Sequence, residues 1–254
     1  MRVKKQWLLG GLLVALLSLI VVAGASAEPL SLPTVSVGVG KVSKPGDVST
    51  VLQIFFLMTV LSLAPSLLMM TTSFTRIVVV LSFLRSALGT QQAPSNQIIV
   101  GLSLFLTFFV MAPVWQQVNT QALQPYRAAT ITQDEAIKRG VAPIRKFMLS
   151  QVREKDLALF ISLSKLPRPR NADDIPTMTL IPAYMVSELK TAFQIGFLVY
   201  IPFLVLDMVV ASVLMSMGMM MLPPVMISLP FKILLFVLVD GWGLIIGSLI
   251  KSFG

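Results

Sequence analysis

Residues Phe193 to Lys251 have the sequence FQIGFLVYIPFLVLDMVVASVLMSMGMMMLPPVMISLPFKILLFVLVDGWGLIIGSLIK, which predicts two membrane-length apolar helices joined by a methionine-rich turn. Each arm carries one acid, Asp207 and Asp240, and the two lie almost equally far from the Pro223-Pro224 corner. If both arms are helical, the carboxylates lie at a similar depth in an apolar slab. Ionisable groups in hydrocarbon are costly and mark a pathway or an assembly interface. This region therefore predicts a protein that acts inside a membrane.

The composition excludes an ordinary soluble domain. Apolar residues make up 56% of the 254 residues and the mean hydropathy is +0.86, whereas soluble domains are about 45–50% apolar. Cysteine and histidine are absent from the sequence, which excludes disulfides, thiol nucleophiles, histidine acid–base chemistry and the usual zinc sites. The formal charge of +9 comes from scattered residues, so we assign it to membrane flanks and a solvated face, with no nucleic-acid partner.

The order of segments predicts an all-α membrane protein. Basic residues, an apolar run and Ala25-Ser26-Ala27 are typical of a cleaved signal peptide, with an uncleaved anchor as the alternative. The expected parts are this signal peptide (1–27), an extended segment (28–50), a first membrane helical pair (51–115), a polar periplasmic helical subdomain (116–190) and a C-terminal hairpin (191–254). Within them we predict four crossings, by helices at about 51–70, 98–115, 193–217 and 225–250. Prolines predict helix breaks at Pro65, Pro182, Pro202 and Pro230, which favours a packed assembly or pore wall.

The buried acids allow three interpretations. Asp207 and Asp240 at matched depth are compatible with an intramembrane aspartyl dyad, although no Gly-x-Gly-Asp pattern surrounds Asp240. A midplane acid is also compatible with a proton-coupled small-solute transporter, although the two halves show no internal repeat. The third interpretation is ion pairing, because a lone buried charge costs several kcal/mol. We expect Glu188 to pair with Lys232, within or between chains, while Asp207 has no evident partner.

The turn itself carries three consecutive methionines, Met219, Met220 and Met221. Methionine fills gaps at tight turns, and it also suits a surface that must conform to varied shapes. The neighbouring glycine and double proline favour the second role, a deformable constriction. Gly243 and Gly247 form a GxxxG match that allows close helix packing. No phosphate-binding loop, hydrolase motif or metal signature is present, so we expect neither a cofactor nor an enzyme.

Several long strings resemble the FliP/SctR family of type III secretion export-gate proteins. They lie at 73–85, 91–97, 189–197, 201–224 and 229–242, within a resemblance that covers about 52–252. The resemblance implies a pentameric ring that joins FliQ and FliR in a helical, pore-forming gate of the flagellar basal body in the inner membrane. The gate would pass unfolded flagellar subunits, driven by the proton motive force and an ATPase elsewhere in the apparatus. It also implies tilted helical hairpins in a cone partly above the bilayer, and a methionine gasket at residues 219–221.

Overall fold

The structure, a computed structural model, describes residues 45–90, 93–164, 169–219 and 222–254, with the backbone alone at 45–51. The predicted signal peptide (1–27) and nearly all of the extended segment (28–50) lie outside these residues. The described part contains helices and no strand, which confirms the all-α prediction. Residues 56–254 form one compact unit, and every contact given below lies within it.

Nine α-helices follow in chain order. They are α1 (Pro45–Thr71), α2 (Phe74–Leu88), α3 (Asn96–Val118), α4 (Gln124–Arg127), α5 (Gln133–Gln151), α6 (Glu154–Leu163), α7 (Thr177–Ser216), α8 (Pro224–Leu238) and α9 (Gly241–Lys251). A π-helical turn, Asn119–Leu123, continues α3 into α4, and a short 3₁₀ turn, Ala172–Asp174, precedes α7.

Several helices are long and apolar enough to cross a membrane, as predicted. Three segments qualify alone, Leu52–Thr71, Asn96–Arg127 and Thr177–Ser216, and the bent pair α8–α9 makes a fourth if it is one span. The third of these begins at Thr177 rather than near residue 193, because its first turns pack on the chain's own core through Leu180 and Tyr184. With 40 residues, α7 is about 60 Å long, twice the roughly 30 Å hydrocarbon core of a bilayer.

The predicted proline breaks are not present, because all four prolines lie inside continuous helices: Pro65 in α1, Pro182 and Pro202 in α7, and Pro230 in α8. A proline removes one backbone hydrogen bond and costs about 3 kcal/mol, which packing and apolar surroundings can offset. The sharp bend lies elsewhere, at the 65° angle between α8 and α9.

This bend, the α8–α9 elbow, is formed at Asp240, whose backbone is left-handed (φ 50°, ψ 53°). The next residue, Gly241, lies against the ring of Phe236, where a Cβ atom would come within 2.2 Å of the ring. A left-handed residue ends a helix, and the missing side chain lets α9 fold back closely. The predicted fourth helix is therefore two shorter helices, divided without a proline.

The main core lies between α2 and α7. On α2 the buried residues recur at helical spacing, at Ile77, Val80, Leu84 and Ala87. Gly196 of α7 lies so close to α2 that an added Cβ would approach the Phe83 side chain to 2.7 Å. A second core joins α5 to the start of α7 and contains Met148, Ile175, Leu180 and Tyr184. Both cores depend on α7, which thereby connects the polar subdomain to the hairpin.

Candidate functional site

Arg76, on the first turn of α2, forms a buried two-pronged ion pair with Glu188 of α7. Its Nε atom lies 2.8 Å from Oε2 and its Nη2 atom 2.5 Å from Oε1, and the side chains are 3% and 0% exposed. Parallel double hydrogen bonds between guanidinium and carboxylate are among the strongest in proteins. Because both groups are removed from solvent, each charge depends on the other for compensation.

The remaining donors of Arg76 bind two more segments. Nη1 donates to the backbone oxygen of Ser252 at 2.7 Å and to its hydroxyl at 3.0 Å, and Nη2 donates to Oε1 of Gln151 at 3.0 Å. The guanidinium carbon also lies 3.9 Å from the centre of the Phe253 ring. All five N–H groups of the arginine are thus engaged. We call this set of residues the Arg76 junction, and it joins α2, α7, the end of α5 and the residues after α9.

Lys232 of α8 is the centre of a second buried polar site. Its Nζ atom donates to Oδ2 of Asp207 at 2.6 Å and to the backbone oxygen of Ala87 at 3.2 Å. Ser228 donates to the other carboxylate oxygen of Asp207 at 2.5 Å. The ammonium thus also meets the carbonyl end of α2, where a cation is favoured. We call Asp207, Ser228 and Lys232 the hairpin lock, because they tie α7 to α8.

The predicted pairing of Glu188 with Lys232 is therefore wrong within this chain, since each has a different partner. Sequence reasoning missed Arg76 as the partner of Glu188. The available signal was an arginine inside the apolar string FTRIVVV, where an ionisable group requires a nearby opposite charge. The partner of Asp207 was missed because depth was measured from the prolines at 223 and 224.

The turn between α7 and α8 comprises residues 217–223, so its midpoint is residue 220. Asp207 and residue 233 are equidistant from that midpoint, which explains why Lys232 faces Asp207. Asp240 lies eight residues beyond Lys232, about 12 Å of helical rise away, at the exposed elbow. The two acids do not form the dyad that the aspartyl-enzyme interpretation requires, and that interpretation is wrong.

A third polar site holds the start of α6 on α7. The Asp156 carboxylate is buried and accepts hydrogen bonds from the Ser187 hydroxyl at 2.9 Å and from the Lys190 ammonium. The Ser187 oxygen in turn accepts from the backbone N–H of Arg153 at 3.0 Å. The hydrogen bond from Lys190, aided by Ser187 and by the two nearby positive charges, lowers the pKa of Asp156 despite its burial.

The methionine turn is exposed where the structure describes it. Met219 is 42% exposed, while Met220 and Met221 lie outside the described residues. Met215 and Met217 on the approach to the turn are also exposed, and Gly218 takes a left-handed φ of 77° that ends the helical path. The role of residues 219–221 as a gasket stays a prediction.

Gly243 and Gly247 contribute nothing to helix packing within the described part of the chain. A Cβ added at Gly247 would meet no atom within 4 Å, and one at Gly243 would meet only the Asp240 carboxylate, at 2.4 Å. Their use between chains stays a prediction. No three acidic side chains gather to hold a metal ion among the residues described.

The comparisons with known proteins decide the family. The profile of the FliP family matches residues 57–249. The chain belongs to the FliP family. It is 58% identical over 211 residues to the flagellar biosynthetic protein FliP of Bacillus subtilis, covering 83% of this chain and 96% of that protein. The FliP of Caulobacter vibrioides is 54% identical over 229 residues, 90% of this chain and 85% of the relative. The FliP of Aquifex aeolicus is 50% identical over 224 residues, 87% and 92%.

The resemblance drawn from the sequence strings is thereby confirmed. Membership of the FliP family assigns the chain to flagellar biosynthesis, a structural and non-enzymatic role, and its long apolar helices fit a membrane protein of the flagellar apparatus. The Arg76 junction and the hairpin lock both lie within the residues that the family profile matches.

Proposed function

We propose that this FliP-family chain is the core pore-forming subunit of the flagellar type III protein export gate in the bacterial inner membrane. Five copies form a ring that joins FliQ and FliR and passes unfolded flagellar subunits, and no cofactor takes part. The family membership supports the flagellar role, and the geometry of the hairpin supports the pore.

The observation that carries the proposal is an exposed methionine turn on a fixed hairpin. The hairpin lock ties α7 to α8 through Asp207 and Lys232, and the described methionines beyond it pack into neither hydrophobic core. Methionine side chains are flexible and polarizable, so they can conform to chains of varied sequence. A hydrophobic constriction also closes a pore to ions by excluding water. A ring of these turns therefore serves as a deformable seal.

The outer surface of the chain supports assembly in a membrane. Large apolar side chains on three of the long helices are more than half exposed, including Phe56 on α1, Phe105 on α3 and Phe197 on α7. Surfaces of this kind contact lipid or other protein subunits. The length of α7, about 60 Å, exceeds the bilayer core and fits an assembly that extends above the membrane.

Replacing Met219, Met220 and Met221 together by alanine tests the seal. We expect increased ion conductance of membranes that contain the assembled gate, because alanine leaves an open, less hydrophobic constriction. The matched control replaces three exposed methionines away from the turn, Met58, Met69 and Met178, and should leave conductance unchanged. Equal conductance in both variants and in the unaltered protein would contradict the seal.

The mass of the detergent-solubilised protein tests the ring separately. We expect about five copies when the chain is expressed alone, and a larger complex when FliQ and FliR are co-expressed. A stable monomer under both conditions would remove the shared pore. Because this measurement does not depend on the methionines, it separates failure of the assembly from failure of the seal.

A further inference from the structure

An apolar cleft of about 380 Å³ lies between α1 and α3. One wall is formed by Pro65, Leu68 and Met69 of α1, and the other includes Leu104 and Phe108 of α3. Both helices belong to the segments that are long and apolar enough to span a membrane. The cleft therefore lies where hydrocarbon, and not water, is the solvent.

The two threonines that border the cleft direct their hydroxyl groups to the backbone. Thr107 donates to the carbonyl oxygen of Ser103 at 2.7 Å, and the Thr72 oxygen accepts from the N–H of Phe74 at 3.5 Å. Each threonine then presents mainly its methyl group to the cleft. An apolar cavity without polar partners for water stays dry and takes apolar ligands.

The size of the cleft decides between a helix and a lipid chain. An α-helix with its side chains is about 10–12 Å wide, so even three turns of one need well over 380 Å³. The volume falls instead within the range of about 300–1,000 Å³ that is typical of small-molecule sites. An empty cleft would leave its lining without dispersion contacts, so a single flexible hydrocarbon chain is the fitting occupant.

The position of Trp115 gives the occupant a direction. Trp115 borders the cleft, and the polar residues Gln116 and Gln117 follow it directly. Tryptophan is enriched at the boundary between headgroups and hydrocarbon. From Trp115 to Leu104 the helical rise is about 16 Å, close to the roughly 15 Å depth of one leaflet. We propose that the cleft holds one acyl chain of a membrane phospholipid, whose glycerol and headgroup lie at the Trp115 end.

Two pairs of neighbouring substitutions test the site in the full-length chain. Leu104→Trp and Leu68→Trp each fill the cleft from one wall. Phe105→Trp and Leu67→Trp place the same indole on adjacent exposed positions that do not border the cleft. The washed, detergent-solubilised proteins are incubated with dioleoylphosphatidylethanolamine, and bound lipid is counted by native mass spectrometry. Helix content by circular dichroism shows that each variant is folded.

We expect one phospholipid per unaltered chain, the same in the two control variants, and at least a tenfold lower occupancy in both filling variants. Equal lipid counts in all five proteins would overturn the proposal, as would an unaltered protein that retains none. Loss of FliQ or FliR from the filling variants with unchanged lipid counts would assign the cleft to a protein partner instead. Since lipid counts do not depend on export or conductance, they leave the proposed function to its own tests.

Discussion

Glu188 and Asp207 both lie on α7, and each pairs with a cation from another helix, but their surroundings differ. Glu188 is fully buried and meets an arginine whose five donors are all engaged. The Asp207 side chain is 24% exposed and meets a lysine with one other partner, a backbone carbonyl. The Arg76 junction is thus closed by this chain alone, whereas the hairpin lock keeps one side open beside the methionine turn. The first fixes the fold, and the second positions a part that must face other molecules.

Glu188→Gln should have the largest effect on stability. It leaves the buried guanidinium of Arg76 without its counter-charge, which costs about 3–5 kcal/mol. We expect a lower Tm in detergent and a lower yield of folded protein. Arg76→Lys should not restore stability when tested alone, because a lysine cannot reproduce the two parallel hydrogen bonds.

The exposed pair between Glu135 and Arg139 is the matched control for this prediction. Its side chains are 43% and 47% exposed, and exposed ion pairs contribute about 0–1 kcal/mol. Glu135→Gln should therefore leave the Tm almost unchanged. If Glu188→Gln were as mild as Glu135→Gln, the Arg76 junction would not be the fixed joint of the fold.

Breaking the hairpin lock should have an intermediate effect. Asp207→Asn leaves Lys232 buried with a neutral partner, and because the carboxylate is partly exposed we expect a loss of about 2–3 kcal/mol. The double variant Asp207→Asn, Lys232→Met removes the buried charge and should recover much of that loss. The Tm of both single variants and the double variant forms a complete cycle. Additive losses would show that the two side chains are not coupled.

The sequence predicts the class of this fold better than its contacts. Hydrophobicity and length locate the membrane-length helices, because these follow from composition within one segment. The partners of Glu188 and Asp207 depend on the register between helices, which the turn at 217–223 sets and composition does not. The prolines mislead for a similar reason, since a local penalty of about 3 kcal/mol is smaller than the packing around a long helix. The bend at Asp240 follows from a left-handed backbone that no proline marks.

The helix contact between the two polar sites supplies a smaller effect. Gly196 lies between Glu188 and Asp207 on α7, and a Cβ atom there would meet Phe83 at 2.7 Å. Gly196→Ala should cost about 1–3 kcal/mol through overpacking. Gly101→Ala is the control, because a Cβ atom there meets nothing within 4 Å, and alanine stabilises a helix by about 0.5–1 kcal/mol relative to glycine. Opposite shifts in Tm are expected, and equal shifts would contradict a close α2–α7 contact.

The smallest effect should come from Asp156 and depends on pH. Its pKa in the folded chain is lowered below the ordinary value of 3.8, first by the hydrogen bond from Lys190. Above that ordinary value the carboxylate is charged in both states, so its contribution to stability is fully present. As the pH falls below it, the unfolded chain takes up the proton first, and the contribution is lost through the folded pKa. Lys190 is 52% exposed, so solvent screening limits the contribution to under about 1 kcal/mol.

Asp156→Asn isolates this contribution, because the amide keeps a similar shape and does not titrate. The Tm of the unaltered protein should exceed that of the variant by a nearly constant margin from pH 7 to about pH 5. The margin should then shrink as the pH approaches 3. Lys190→Met should remove most of the same margin at neutral pH, since it removes the first cause of the lowered pKa. A margin that stays constant down to pH 3 would mean that the Asp156 carboxylate holds α6 on α7 by its shape alone, and the charge contrast with the fully buried Glu188 would then be sharper still.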